Sequence, residues 1–165
     1  MIFMAYLTKK IKGFTFIEMV VVVFIIVILA TITISFLSAS RQRNRDTVRI
    51  SDVSQLQIAL SSYKRDIGTY PTIITGGQEL RGAGSITATT TLYMALVPTP
   101  PTPRDGNCAN YPLYTSYYYL PSSDYKNYCL FFCLGGNTGD ITADAKIAMP
   151  KGIISGALGS SACPF

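Results

Sequence analysis

The stretch FTFIEMVVVVFIIVILATITISFLSAS, residues 14–40, decides the fold of this chain. Glu18 is its only charged residue, and no other charge follows until Arg41. A run of this length can cross a bilayer as one helix, since about 20 apolar residues suffice. A carboxylate inside such a span costs about 3 kcal/mol on insertion scales. Glu18 is therefore expected to have a partner or a functional role.

A short basic segment, Lys9-Lys10-Ile11-Lys12-Gly13, lies directly before this run. The N-terminal region combines a basic leader, a glycine, an aromatic residue, a glutamate five positions after the glycine and a long apolar helix. This combination resembles the class III signal of type IV prepilins and type II secretion pseudopilins. The resemblance implies that a prepilin peptidase cleaves between Gly13 and Phe14 and that Phe14 is N-methylated. It also implies that Glu18 pairs with the amino terminus of Phe14 on a neighbouring subunit, which turns two buried charges into one ion pair.

Two other kinds of N-terminal segment stay open on the residues alone. An ordinary secretory signal peptide has a shorter apolar core and a small-residue cleavage site, for which Ala39-Ser40 is a candidate. The acid within the core and the length of the run argue against it. A plain signal anchor also fits, because residues 19–39 are long enough to span, but it leaves Glu18 without a role.

The net charge of +5 is unevenly distributed along the chain. The leader lysines contribute +3, Glu18 contributes −1, residues 41–66 contribute +3 and residues 67–165 are neutral. Nucleic-acid binding needs clustered lysine and arginine, so no direct nucleic-acid site is expected in the globular head. The basic cluster from Arg41 to Arg49 is expected to contact lipid headgroups, to contact acidic groups in a filament, or to form the solvated start of a helix.

Residues 14–66 contain no proline and no glycine, which predicts one long helix. Its second half carries an apolar face at spacings of three and four residues, and this face is expected to pack under a sheet. Gly68 and Tyr70-Pro71 are expected to end the helix. The residues of the apolar face are Val53, Leu56, Leu60, Tyr63 and Ile67.

Ser35 stands where many pilins have a helix-breaking proline. The neighbouring Thr31 and Thr33 have lower helix propensity. They leave two possibilities open: local melting of the helix, or hydrogen bonds from their hydroxyl groups to carbonyls one turn back.

The rest of the chain predicts a small antiparallel sheet. Residues 68–107 are a Gly/Thr/Pro-rich loop with a short helix expected at Leu92–Leu96. Strands are expected at 111–120, 125–134 and 145–149, with a β-turn at 121–124 and a loop at 135–140. The expected fold is α+β and pilin-like, with a long N-terminal helix packed against a small disulfide-stapled sheet. Its segments are the leader 1–13, the membrane or filament-core half-helix 14–40, the amphipathic half-helix 41–67, the loop 68–107 and the sheet region 108–165.

Seven tyrosines cluster in and around the two predicted aromatic strands. They would form an adhesive or sugar-stacking surface if most of them faced solvent. The structural alternative, which we favour, places about half in the core and the rest on the pleat. These residues are Tyr111, Tyr114, Tyr117, Tyr118, Tyr119, Tyr125 and Tyr128.

Four cysteines after an export signal favour disulfides, for which three connectivities exist. A hairpin turning between residues 122 and 123 places residue 112 opposite Cys133 and residue 116 opposite Cys129. Cys108 then lies near Cys133, and Cys129 is left for Cys163. We expect the pairs Cys108–Cys133 and Cys129–Cys163. The rival is a zinc site, which the lack of histidine and a CxxxC in a strand disfavour.

The composition gives little support to catalysis. The chain has no histidine, the commonest general base, and no paired carboxylates are evident outside the helix. No enzyme activity and no cofactor are therefore expected. Calcium stays possible through loop oxygens, although such residues are usually turn formers. The candidates are Asp105, Asn107, Asp124, Asn127 and Asp140.

The resemblance implies a structural subunit of a type IV pilus that serves adhesion, motility or DNA uptake. Its implied partners are identical or related subunits, the prepilin peptidase, the assembly platform and its ATPase. It would be a single-pass inner-membrane protein before assembly and part of an extracellular filament afterwards. A type II secretion pseudopilin is the alternative within the superfamily, and a membrane-anchored binding module that never polymerises is the alternative from another class.

Overall fold

A computed structural model describes residues 13–82, 91–111, 115–156 and 163–165. Its helix α1 spans Phe16–Ile67, and a 3-10 helix spans Gly106–Asn110. The α+β pilin-like architecture is confirmed. The predicted leader before Gly13, part of the predicted loop (83–90) and Tyr114 lie outside the described residues. The strands are β1 (Leu80–Arg81), β2 (Leu92–Met94), β3 (Tyr118–Pro121), β4 (Tyr128–Leu134), β5 (Asp144–Met149) and β6 (Gly152–Ser155).

Helix α1 is continuous over 52 residues, as the lack of proline and glycine predicted. Its backbone stays helical through Ser35. The hydroxyl groups of Thr31 and Thr33 donate to the carbonyls of Ile28 and Leu29, both at 2.8 Å. Of the two possibilities left open for this stretch, the structure therefore has the hydrogen-bonded helix and not the melted one.

Gly68 ends the helix as predicted. Its φ is +91°, a left-handed conformation that glycine adopts without a steric penalty. Its N–H donates to the carbonyl of Lys64 at 2.7 Å, which satisfies one of the last carbonyls of the helix.

The chain divides into two compact units between Ala39 and Ser40. In the first unit the helix exposes its large apolar side chains, from 44% exposed at Val22 to 86% at Phe16. A helix that is apolar all round belongs in a membrane or among other chains. By length and composition, α1 can cross a membrane.

The second unit is built on an antiparallel meander, β3-β4-β5-β6, with a separate β1-β2 pair. Strand β4 is buried along its whole length. One of its faces packs in the same core as Leu56 and Leu60, which are both 0% exposed. The predicted apolar helix face is thus confirmed for Val53, Leu56, Leu60 and Tyr63, whereas Ile67 at the helix end is 38% exposed.

The predicted register of the aromatic hairpin is wrong. The Cα partner of Cys129 is Leu120, not residue 116, and Pro121 ends β3 instead of opening a turn. The loop between β3 and β4 is longer than the predicted turn at 121–124, because Ser122 bonds to Asn127 across it. The Ser122 hydroxyl oxygen accepts a hydrogen bond from the Asn127 N–H at 3.0 Å, and the Ser122 N–H donates to the Asn127 carbonyl at 2.9 Å. Asp124 also accepts a bond from the Lys126 N–H at 3.0 Å.

Two further segment predictions are wrong. Of the expected strand at 111–120, residues 112–114 lie outside the described residues, Tyr111 and residues 115–117 are not in a strand, and Tyr118–Leu120 lie in β3. The segment just before it, Gly106–Asn110, forms the 3-10 helix that carries Cys108. The expected helix at Leu92–Leu96 is wrong, because Leu92–Met94 form strand β2, which pairs with β1. The Val97 N–H donates to the Gln78 carbonyl and the Gly77 N–H donates to the Val97 carbonyl, which extends this pairing. The predicted strand at 145–149 is confirmed in β5, and the hairpin to β6 was not foreseen.

Candidate assembly site and the charge clamp of the head

The amino terminus of α1 is closed by a pair of reciprocal hydrogen bonds. Thr15 is the residue before the helix and Glu18 is its third residue. The Glu18 N–H donates to Thr15 Oγ1 at 3.4 Å, and the Thr15 N–H donates to Glu18 Oε2 at 3.4 Å. This arrangement is a capping box, in which each side chain satisfies the other residue's backbone N–H. The negative charge also lies at the positive end of the helix dipole.

Of the predicted site residues, Gly13 and Phe14 lie just before α1, and Glu18 lies in its first turn. Phe14 is 79% exposed, and a Cβ at Gly13 would meet nothing within 4 Å. Both residues of the predicted cleavage site are therefore exposed. The capping box had a sequence signal, threonine followed three residues later by glutamate, which the analysis of the sequence did not use.

Glu18 has no cationic partner within its own segment. No lysine or arginine occurs between Gly13 and Arg41, and its described bonds run to Thr15 alone. Once the segment is surrounded by lipid or by other helices, this charge needs a proton, or a cationic group from elsewhere in the chain or from another molecule.

In the head, four charged residues form what we call the charge clamp: Arg45, Asp46, Arg49 and Asp105. Arg45 holds Asp105 with two hydrogen bonds of 2.7 and 2.6 Å. Arg49, whose side chain is 3% exposed, lies 2.6 Å from Asp46, whose side chain is 0% exposed. The hydrogen bonds from Arg45 hold the pKa of Asp105 below its usual range.

The clamp ties two distant segments, 101–105 and 135–136, to α1. The carboxylate of Asp46 accepts hydrogen bonds from the N–H groups of Gly135 and Gly136 at 3.0 and 2.8 Å. Arg49 donates to the carbonyls of Pro101 and Pro103 at 3.1 and 3.3 Å. Every buried charge in the clamp therefore has both an ionic partner and hydrogen-bond partners.

The clamp corrects the interpretation of the Arg41–Arg49 cluster. Arg45 and Arg49 bind groups of their own head, so they are neither lipid contacts nor a solvated helix start. Arg41 and Arg43 are exposed. For these two residues, contact with lipid headgroups, contact with acidic groups in a filament and a solvated helix start all remain predictions. Sequence reasoning missed the clamp because Arg45 and Asp105 are 60 positions apart, and no local pattern joins them.

The four cysteines form two disulfides. Cys108 bonds to Cys133 and Cys129 bonds to Cys163, which are the two pairs derived from the sequence. The route differs from the prediction, because Cys108 is brought to β4 by the 3-10 helix and not by strand pairing. A four-thiolate zinc site is thereby removed, since all four sulfurs are in disulfides.

The tyrosines divide between core and surface. Tyr117 and Tyr128 are 7% and 0% exposed, whereas Tyr118 is 47% exposed. Tyr117 donates its hydroxyl to Asp52 at 2.7 Å, and burial raises the pKa of both groups. The described tyrosines are thus divided between the core and the surface of the sheet, as we favoured, and do not form one continuous adhesive surface.

The loop oxygens considered for calcium are dispersed. Asp105 belongs to the clamp, and Asp124 closes the β3–β4 loop through Ser122 and Lys126. Within the described ranges, no group of three or more Asp, Glu, Cys or His residues is placed to hold a metal ion.

One comparison with known proteins identifies the N-terminal segment. Residues 8–34 match the family model described as the prokaryotic N-terminal methylation motif. This is a class III signal. The motif is that of type IV pilins and pseudopilins, which are structural proteins, and the match ends within α1. Comparisons with curated proteins and with solved structures gave no match.

Proposed function

We propose that this chain is a structural subunit of a type IV pilus, assembled through the front half of α1. The observation that carries the proposal is the combination at residues 13–40: an exposed Gly-Phe pair, a glutamate in the first turn of the helix, and an apolar helix whose described large apolar side chains are exposed. Burying this surface in lipid or against other copies removes it from water, at roughly 25 cal/mol per Å².

The proposed sequence of events follows from the same residues. A prepilin peptidase cleaves after Gly13 and methylates Phe14 while the helix lies in the inner membrane. The assembly platform and its ATPase then extract the subunit into a filament, where Glu18 accepts the cationic amine of a neighbouring Phe14. The disulfide-tied head lies on the outside and is structural, not catalytic.

Replacing Glu18 tests assembly directly. Glu18→Ala is expected to reduce sheared filaments to background while the membrane-bound subunit stays at wild-type level. Glu79→Ala is the matched control, because it removes an exposed head carboxylate that, among the described residues, pairs with Arg81, and it is expected to assemble normally. Normal filaments from Glu18→Ala would overturn the proposal and favour an anchored binding module.

The pseudopilin alternative separates from the pilus in the same preparation. A pilus subunit is expected in long fibres on the cell surface at natural expression. A pseudopilin would yield none, and its deletion would instead block export of a secreted protein.

A further inference from the structure

Asp140 differs from every other acidic side chain among the described residues. Those acids each accept a hydrogen bond or lie in an ion pair. Asp140 is exposed, follows Gly139 in the loop between β4 and β5, and has no such partner within the described ranges. An unpaired exposed carboxylate at one end of the sheet is available to a second molecule.

The opposite end of the sheet carries exposed cations, of which Lys151 has no hydrogen-bond or ionic partner within the described ranges. Antiparallel pairing puts the β3–β4 loop and the β5–β6 turn together at that end, and these hold the exposed side chains of Lys126 and Lys151. Lys151 also lines an open groove of about 720 Å³ beside α1, together with Arg65 and Ile58. The acids at this end, Asp66 and Asp124, are already engaged by Arg65 and Ser122.

These two ends lie about 20 Å apart, since β5 has six residues between them. A contact between different patches of identical subunits is heterologous, and such contacts build open helical filaments when they do not close into a ring. A contact in which both copies use the same patch would instead give a closed dimer. Opposite unpaired charges at opposite ends therefore suit polymerisation.

We propose that, in the filament, the Asp140 loop of one head docks on the Lys151 groove of another copy of this chain. The inference rests on the proposed function, because it names the contact between heads that accompanies assembly through α1. Arg41 and Arg43 are also exposed, and Gln42 between them lies beside Gly136. They share the end that carries Asp140, so a contact with them would join like ends.

Charge reversal tests this contact in the full-length protein in its native cell. Asp140→Lys places like charges together and is expected to reduce the filament yield at least about tenfold. Adding Lys151→Glu is expected to restore the yield. Adding Arg43→Glu instead, a matched charge reversal at the end that carries Asp140, is expected to leave the filament yield low. Protease resistance of the membrane-extracted subunit shows that each head remains folded.

The outcomes separate the two proposals. Filaments that form equally well with Asp140→Lys, or rescue by Arg43→Glu and not by Lys151→Glu, would overturn the docking contact and leave the pilus proposal intact. If the wild-type chain forms no filament, both fail. Wild-type filaments that dissociate more readily in 1 M salt add support, because salt screens exposed charge pairs.

Discussion

The two halves of α1 have the same backbone conformation and opposite surroundings. In the front half, Leu29 is 59% exposed, whereas in the back half Leu56 is 0% exposed. The front half has one charge, Glu18, and the back half places Asp46 and Arg49 in the buried charge clamp. The buried apolar side chains and the buried charges of the back half are packed and paired within its own chain. The exposed apolar side chains of the front half require lipid or other chains to cover them. Under the proposed function, this difference separates folding of the head from assembly of a filament.

The largest expected effect is on the clamp. Asp46→Ala leaves the buried Arg49 without its nearest carboxylate and frees the N–H groups of Gly135 and Gly136. Breaking a buried pair in this way costs about 3–5 kcal/mol of unfolding free energy. Urea unfolding of the full chain in detergent measures it. The control Asp140→Ala, which removes an exposed carboxylate, is expected to change stability by less than about 0.5 kcal/mol.

A matched pair of leucines tests the comparison itself. Leu56→Ala is expected to lower the unfolding free energy of the head by about 2–5 kcal/mol, because it leaves a cavity in a packed core. Leu29→Ala makes the same chemical change in the front half, and the head is expected to unfold as in the wild type. Equal losses in both variants would show that the two halves are not independent.

Acid is expected to weaken the head through Asp105. Arg45 lowers the pKa of this carboxyl below its unfolded value near 3.8, so the stabilisation is present above that value and is lost as the pH falls through the folded pKa. Asp105→Asn should therefore reduce the difference in stability between pH 7 and pH 3. Burial raises the pKa of Asp52, so Asp52→Asn should have the opposite effect. The same response from both variants would contradict these assignments.

The smallest expected effect is on the capping box. Thr15→Val keeps the shape of the side chain and removes the oxygen that accepts the Glu18 N–H. The loss is about 1 kcal/mol of helix-end stability, which is expected to lower the filament yield modestly. Thr15→Ser keeps the oxygen and should assemble as the wild type. Head stability should be unchanged in both, and a head destabilised by Thr15→Val would contradict the separation of the halves.

The bounds of α1 and its buried face could be predicted because they depend on local features: the absence of proline and glycine, and the apolar spacing from Val53 to Tyr63. The disulfide pairs could be predicted as well, although the hairpin register used to derive them was wrong. That register depends on side-chain contacts of Ser122 within its loop, which alternation of apolar residues does not encode.

The charge clamp could not be predicted either, because it also depends on contacts between residues that are distant in the sequence. Arg45 and Arg49 follow an apolar segment and resemble surface residues in the sequence, and their partners are brought close only by the folded loops at Pro101–Pro103 and Gly135–Gly136. By contrast, Gly13, Phe14 and Glu18 are close in sequence, so the candidate assembly site was visible before the fold was known.

Processing of the front half of α1 for assembly leaves a trace in the mass of the mature protein. The first measurement is therefore the intact mass and N-terminal fragment spectrum of the protein from its native membrane or sheared surface fraction. We expect a chain that starts at Phe14, carries one added methyl group and lacks two hydrogens for each of its two disulfides. A chain that keeps its leader, or that starts near residue 40, would show that this processing does not occur.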